Sequence, residues 1–135
     1  MSGAIGIDFG TTNSLISIVL SGKIKSYTEN DLPHPSVVCY SSHGVICGSE
    51  AKERIENLVT AEHDGIIRSP KRLLGKGTHF VLGREIEPSA MVAELMRHLK
   101  QHAIDQDASV SSFDEAVVSI PVAMDGRRRK ELRDA

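Results

Sequence analysis

The sequence predicts an α/β fold, and three stretches of the chain support that prediction. The first third holds short apolar or alternating runs at residues 4–8, 14–20 and 23–28, which are typical of an antiparallel strand meander. Residues 88–103 repeat apolar side chains at the spacing of one helix face, namely Met91, Val92, Leu95, Met96, Leu99 and Ala103. Residues 116–120 are apolar nearly throughout, as in a central strand covered on both faces.

Composition narrows the class of protein. The chain has 135 residues, 40% of them hydrophobic and 25% charged, which suits one domain or a piece of a larger one. A net charge of −2 argues against a nucleic-acid partner. The chain has neither an apolar run of roughly 18 residues nor a basic leader segment, so we expect no membrane partner. Two cysteines do not form a disulfide framework, and we expect a cytoplasmic protein.

Turn and capping signals divide the rest of the chain. Two short apolar runs within residues 36–47 predict a hairpin. Ser49 is predicted to cap a short helix. Pro70 opens one or two helical turns, which Gly75 stops. Asp125 is predicted to cap a last helix. The sequence stops at Ala135 while its pattern is still that of a helix and without a C-cap, so we expect the chain to be a fragment.

The run Ile5-Gly6-Ile7-Asp8-Phe9-Gly10-Thr11-Thr12-Asn13-Ser14 carries the sharpest chemical signal. Gly10 lets the backbone approach a ligand closely, and successive amides of such a turn can form an anion-binding nest. Thr11 and Thr12 add hydroxyl donors. Asp8 stands where hydrated Mg²⁺ on a phosphate needs a carboxylate. The run indicates phosphate and metal handling, and a hairpin turn with a surface aspartate is the alternative that the residues leave open.

This run resembles the first phosphate loop of the 70-kDa heat-shock chaperones, the DnaK and HscA type. Four more segments resemble that family in the same order: Pro35-Ser36-Val37-Val38, Gly48-Ser49-Glu50-Ala51-Lys52, Lys71-Arg72-Leu73-Leu74-Gly75 and Ala116-Val117-Val118-Ser119-Ile120-Pro121. The resemblance implies an actin-like (ribonuclease-H-like) ATPase fold, of which this chain is lobe I only and incomplete at the C-terminus. Residues 1–35 and 113–135 would then belong to the inner subdomain, and residues 36–112 would form the outer subdomain.

The resemblance also implies residue roles. Asp8 and Lys71 would be catalytic: Asp8 contacts Mg²⁺ through water, and Lys71 reaches toward the γ-phosphate and the attacking water. The residues implied to bind ATP or ADP are those of the turn, Gly10, Thr11, Thr12 and Asn13. Phosphoryl transfer needs positioning and positive charge rather than a covalent nucleophile, and these residue types suit it.

Pro121 and Arg129 fall where the family couples nucleotide state to its substrate domain, so the resemblance implies an allosteric relay through them. The family usually continues its proline with alanine and two aromatic residues. This chain has Val122-Ala123-Met124 there, and the relay through Pro121 departs from the family pattern.

The function implied by the resemblance is that of an N-terminal piece of an ATP-dependent chaperone. The full-length protein would bind unfolded polypeptides, a J-domain co-chaperone and a nucleotide-exchange factor. ATP binds between two lobes in this fold, so we expect weak nucleotide binding and negligible turnover by this chain alone. Residues 116–120 would be partly uncovered in such a piece, and an open strand edge favours dimerisation.

Two other functions are alternatives to the chaperone. One is a bacterial actin-like filament protein of the MreB type. Such proteins have alanine at the position of Thr12 and lack a segment like residues 71–75, which favours the chaperone. The other is a truncated, non-catalytic interaction module, which the sequence leaves open.

Histidine and cysteine pairs give weaker signals. His98 and His102 are four residues apart on one helix. Leu99 stands where a metalloprotease helix has glutamate, so we interpret the two histidines as a solvated or packed pair. Cys39 and Cys47 could face each other across the hairpin, but a disulfide is not expected in a reducing compartment.

Overall fold

The computed structural model describes residues 4–20, 22–41, 44–56, 65–119 and 124–135. The strands in these ranges are β1 (Ala4–Phe9), β2 (Asn13–Leu20), β3 (Lys23–Tyr27), β4 (His34–Pro35), β5 (Val37–Ser41), β6 (Gly44–Cys47), β7 (Gly65–Arg68), β8 (His79–Val81), β9 (Arg84–Ile86) and β10 (Glu115–Val118). The α-helices are α1 (Gly48–Glu56), α2 (Pro88–Gln106) and α3 (Gly126–Asp134), and 3₁₀ turns cover Pro70–Leu73 and Ala108–Ser112.

The first sheet confirms the predicted meander. Its strand order is β10-β1-β2-β3, with β4 paired to the start of β2. β1, β2 and β3 are antiparallel, and β10 runs parallel to β1 with Ile7 opposite Val118. Alternate residues of β1 are buried, and they are Ile5, Ile7 and Phe9. The sheet therefore packs one face into the core.

The prediction that the last strand is covered on both faces is wrong. Among the described strands, β10 lies at the sheet edge, and Val117 is 67% exposed. Val19 and Ile24 are exposed as well, so an apolar face of the first sheet meets solvent. An apolar run indicates that both faces of a strand can be buried. It does not show that a helix or a second sheet covers each face. The expectation of a partly uncovered strand is confirmed.

A second sheet holds the predicted hairpin. Its order is β6-β5-β7, and β7 was not predicted because its four residues follow an irregular stretch of sequence. Cys39 pairs with Ile46, whereas Cys47 pairs with Val38. Both cysteines are buried thiols, and burial chiefly raises the pKa of Cys47 to about 12.

α2 joins the two sheets and confirms the strongest helix prediction. Its buried face consists of Pro88, Met91, Val92, Leu95, Leu99 and Ala103, and Met96 packs against the same core half-buried. The helix contacts β2 and β3 of the first sheet and β5 and β6 of the second. Among the described residues, no helix is long and apolar enough to cross a membrane.

The short helix α1 begins one residue earlier than Ser49, so the predicted cap is wrong. The cap comes from a distant side chain: Oε1 of Glu29 accepts the Ser49 amide at 2.9 Å. Burial acts to raise the pKa of Glu29, but hydrogen bonds with His98, the Ser49 amide and His34 hold that pKa below its usual value. At the other end of the chain, Asp125 caps α3 as predicted, by accepting the Arg128 amide.

Asp107 ties the end of α2 to β3. Its carboxylate accepts hydrogen bonds from the Tyr27 hydroxyl at 2.8 Å, from Lys25 at 3.2 Å and from the Ser109 hydroxyl at 2.6 Å. The Ser109 and Tyr27 bonds are the main reasons why the pKa of Asp107 lies well below its usual range. Burial, followed by the bond to Asp107, raises the pKa of Tyr27 to about 12.

We predict that Asp107→Asn lowers the thermal unfolding midpoint at pH 7, because the charge that accepts these bonds is lost. A depressed pKa stabilises the fold above the unfolded-state value of about 4, and the contribution fades as pH falls through the folded-state value. The difference between native and variant midpoints, followed by circular dichroism, should therefore shrink from pH 7 to pH 3. Asp114→Asn, at an exposed carboxylate, is the control. An equal difference at both pH values would contradict the prediction.

Candidate functional site

The peptide carbonyls of the loop after β1 accept hydrogen bonds from two serines elsewhere in the protein. The Gly10 carbonyl accepts the Ser36 hydroxyl at 3.0 Å, and the Thr12 carbonyl accepts the Ser36 amide at 2.9 Å. The Thr11 carbonyl accepts the hydroxyl of Ser69. Two serines from the region of the second sheet therefore fix three consecutive peptide units.

This orientation decides where the loop amides point. In a trans peptide the N–H lies opposite the C=O of the preceding residue. Since the carbonyls of Gly10 and Thr11 face the serines, the amides of Thr11 and Thr12 point away from them. Amides on the outer side of a turn are donors that an anion can bind.

Gly10 is required by a close approach inside the turn. Its amide donates to the Asn13 carbonyl at 3.1 Å. A Cβ on Gly10 would collide with that carbonyl oxygen, so any larger residue would open the turn. Thr12 and Asn13 are exposed and Thr11 is half-buried, which leaves the predicted binding turn accessible.

Lys71 lies beside the same turn. Its Nζ donates to the Phe9 carbonyl at 2.6 Å and lies 5.6 Å from the centroid of the Phe9 ring. The lysine stands on the 3₁₀ turn that Pro70 opens, as predicted, and Gly75 follows it with φ of +81°. The structure thus brings Lys71 to the start of the loop, although Lys71 and Phe9 are 62 positions apart in sequence.

Ser69 carries backbone strain at the junction between loop and lysine. Its φ of 54° and ψ of 64° are left-handed, a conformation that non-glycine residues rarely adopt. Its amide donates to the Ser36 carbonyl at 3.0 Å, and its hydroxyl bonds Thr11. These bonds hold the strained residue, and strained residues cluster at functional sites.

Asp8 lies at the carboxyl end of β1, next to the turn. It is exposed, and its Oδ1 accepts the Ser119 hydroxyl at 2.9 Å. Ser119 follows β10, and its amide donates to the Ile7 carbonyl at 3.0 Å. Parallel strands end at the same sheet edge, so Ser119 orients the carboxylate that was predicted to meet hydrated Mg²⁺.

A cleft of about 320 Å³ adjoins the turn. The turn residues Thr11–Asn13 line it together with Ser36 and Ser69, so it lies on the side of the turn to which the carbonyls point. Lys52, Glu56 and Arg68 line it as well, so the cleft carries charges of both signs.

Of the two residues predicted to form the allosteric relay, the structure describes only Arg129. Pro121 lies outside the described residues. Arg129 is on α3, exposed at the surface. The same helix bonds the loop beyond Lys71, because Glu131 Oε2 accepts the Gly75 amide at 2.5 Å.

Sequence reasoning missed the two serines that shape the turn. Ser36 is buried, and its hydroxyl also bonds the buried Ser14 hydroxyl at 2.8 Å. In the sequence, Ser36 stands out only as part of a segment that resembles the family. A hydroxyl residue before an apolar strand run was the available signal, but nothing in the sequence placed it beneath the loop.

The comparisons with known proteins agree on one family. The family described as Hsp70 protein matches residues 4–80. The chaperone protein DnaK of Mycoplasmopsis agalactiae is 31% identical over 134 residues, which cover 97% of this chain and 21% of that protein. The chaperone protein HscA homolog of Acinetobacter baumannii strain AYE is 32% identical over an alignment of 154 residues, gaps included. The alignment covers 98% of this chain and 24% of that protein.

The chain therefore spans about a fifth to a quarter of the length of these relatives. The matches confirm the resemblance drawn from the five segments, and they do not favour the filament alternative. The family implies an actin-like ATPase fold, and the mixed first sheet fits part of one lobe. More than half of the residues match the family, and the chain belongs to the Hsp70 family.

Proposed function

We propose that this chain supplies the first phosphate loop of an ATP-dependent chaperone of the Hsp70 type. The observation that supports this most directly is the turn at residues 10–13, whose carbonyls bond inward while a lysine approaches from another segment. Such a turn offers amides, hydroxyls and one ammonium group to an anion, and these are the donors that phosphoryl groups need.

Each predicted residue has a role in this proposal. Gly10, Thr11, Thr12 and Asn13 bind the β- and γ-phosphates of ATP or ADP. Lys71, held near the turn by the Phe9 carbonyl, neutralises charge on the terminal phosphate and orients the attacking water. Asp8 holds a hydrated Mg²⁺, which when bound would neutralise phosphate charge. The exposed carboxylate, fixed by Ser119 through one oxygen, fits a cation of that kind.

The activity of the whole protein goes further than these residues. We propose that the full-length cytoplasmic protein couples ATP binding and hydrolysis to binding and release of unfolded polypeptides, with a J-domain co-chaperone and a nucleotide-exchange factor. Arg129 and Pro121 are proposed to relay nucleotide state. The bond from Gly75 to Glu131 supports this, because it links the Lys71 segment to the helix that carries Arg129. The proposed subdomains remain residues 1–35 with 113–135, and residues 36–112.

We predict weak binding, by this chain, of the Mg²⁺ complex of a non-hydrolysable ATP analogue, which keeps a γ-phosphate for Lys71, measured by titration calorimetry. Lys71→Ala should weaken binding about tenfold or more, since a hydrogen bond to a charged group contributes about 1.5–3 kcal/mol. Gly10→Ala should abolish it by opening the turn. Lys76→Ala removes a nearby exposed lysine and is the matched control. Equal effects of Lys71→Ala and Lys76→Ala would contradict the assigned role of Lys71.

We also propose that the exposed edge of β10 lets two chains pair. Light scattering across a concentration series should show an average mass that rises with concentration. Val117→Lys should keep the chain monomeric, because charge on an edge strand opposes pairing. Leu32→Lys, at a similarly exposed apolar residue, is the control and should still associate. A constant monomer mass for the native chain would rule out this pairing.

A further inference from the structure

Three segments bring four potential metal ligands together, away from the phosphate loop. Glu29 follows β3, His34 lies on β4, and His98 and His102 lie one turn apart on α2. One ligand atom from each side chain lies within 4.8 Å of the corresponding atoms of the other three. Only the histidine pair on α2 was visible as a pattern in the sequence.

His34 gives the strongest indication of a cation. Its side chain is fully buried. Its Nε2 lies 3.1 Å from the Tyr27 carbonyl and its Nδ1 lies 2.8 Å from Oε2 of Glu29. A carbonyl only accepts, so Nε2 carries the proton. Nδ1 then needs a positive charge between itself and the carboxylate. Without metal this is a proton, which makes the buried ion pair of His34 and Glu29, and a metal cation can take the place of that proton on the Nδ1 lone pair.

The other two histidines converge on the same point. His98 Nε2 lies 3.1 Å from the same oxygen of Glu29. The ring centroids of His98 and His102 are 4.3 Å apart, and that of His34 is 5.4 Å and 5.3 Å from them. One nitrogen of each of the three imidazoles and one carboxylate oxygen thus lie within 4.8 Å of one another.

The surroundings hold these ligands in place. The Tyr27 carbonyl fixes the tautomer of His34, and the Ser49 amide orients Glu29 through Oε1, leaving Oε2 to the cluster. Such outer contacts are typical of metal sites. Gly48 makes room for the cluster, because a Cβ there would collide with His98 and Glu29.

We propose that Glu29, His34, His98 and His102 bind one Zn²⁺ in a closed, structural site. Three imidazole nitrogens and one carboxylate oxygen are ligands that zinc accepts in tetrahedral geometry, whereas Mg²⁺ and Ca²⁺ prefer oxygen ligands only. Tetrahedral ligand atoms lie roughly 3–3.5 Å apart, so small side-chain rotations complete the site. The metal joins β3 and β4 of the first sheet to α2.

The test is a zinc titration of chelator-treated protein against a chromophoric competitor. We expect one Zn²⁺ per chain, a higher unfolding temperature with zinc, and visible absorption bands of a tetrahedral centre when Co²⁺ is added instead. His102→Gln should weaken zinc affinity at least tenfold and remove those bands. His102 is half-buried and outside the contacts of Glu29 with His34 and Ser49, so this variant should still fold.

His79→Gln changes a histidine on β8, outside the cluster, and should bind zinc as the native chain does. The proposal is overturned if the native chain binds no zinc at micromolar concentration. It is also overturned if His102→Gln binds zinc with native affinity, since the metal would then lie elsewhere. Neither result depends on nucleotide binding, so the phosphate-loop proposal is tested separately.

Discussion

The inward direction of the carbonyls at residues 10–12 is the constraint on which the candidate site depends. A loop that turned those oxygens outward would present negative dipoles to a phosphate and repel it. Ser36 and Ser69 prevent this by donating three hydrogen bonds, each with a net contribution of about 0.5–1.5 kcal/mol. Both serines belong to the region of the second sheet. The conformation of the loop of the first sheet therefore depends on contacts with the region of the second sheet.

The helix α2 makes that packing possible, since its apolar face contacts both sheets. Contacts along its C-terminal half add polar constraints to the apolar core. Asp107 bonds β3 at the C-terminal end, and His98 and His102 meet Glu29 and His34 further back. Glu29 also caps α1. One carboxylate thus links the first sheet, α1 and α2, at a place distinct from the turn at residues 10–13.

Local patterns predicted much of this architecture, while tertiary placement was less accessible. Apolar spacing predicted α2, and proline and glycine predicted the turn that carries Lys71. β7 was missed because a four-residue strand has too little pattern. β10 was assigned two covered faces because an apolar run does not reveal its neighbours. Ser36, Ser69, Glu29 and His34 act through partners far away in sequence. Only the fold brings those partners together.

The most direct test of the phosphate loop is to follow backbone amide resonances of ¹⁵N-labelled chain as Mg-ADP is added. The orientation of the peptide units predicts the largest, saturable shifts at Thr11, Thr12 and Asn13, together with changes in the segment of Lys71. Ser69→Ala should reduce the shifts by releasing the Thr11 carbonyl. Shifts confined to another surface, or saturable binding that leaves the Thr11 and Thr12 amides unmoved, would contradict a nucleotide site at this turn.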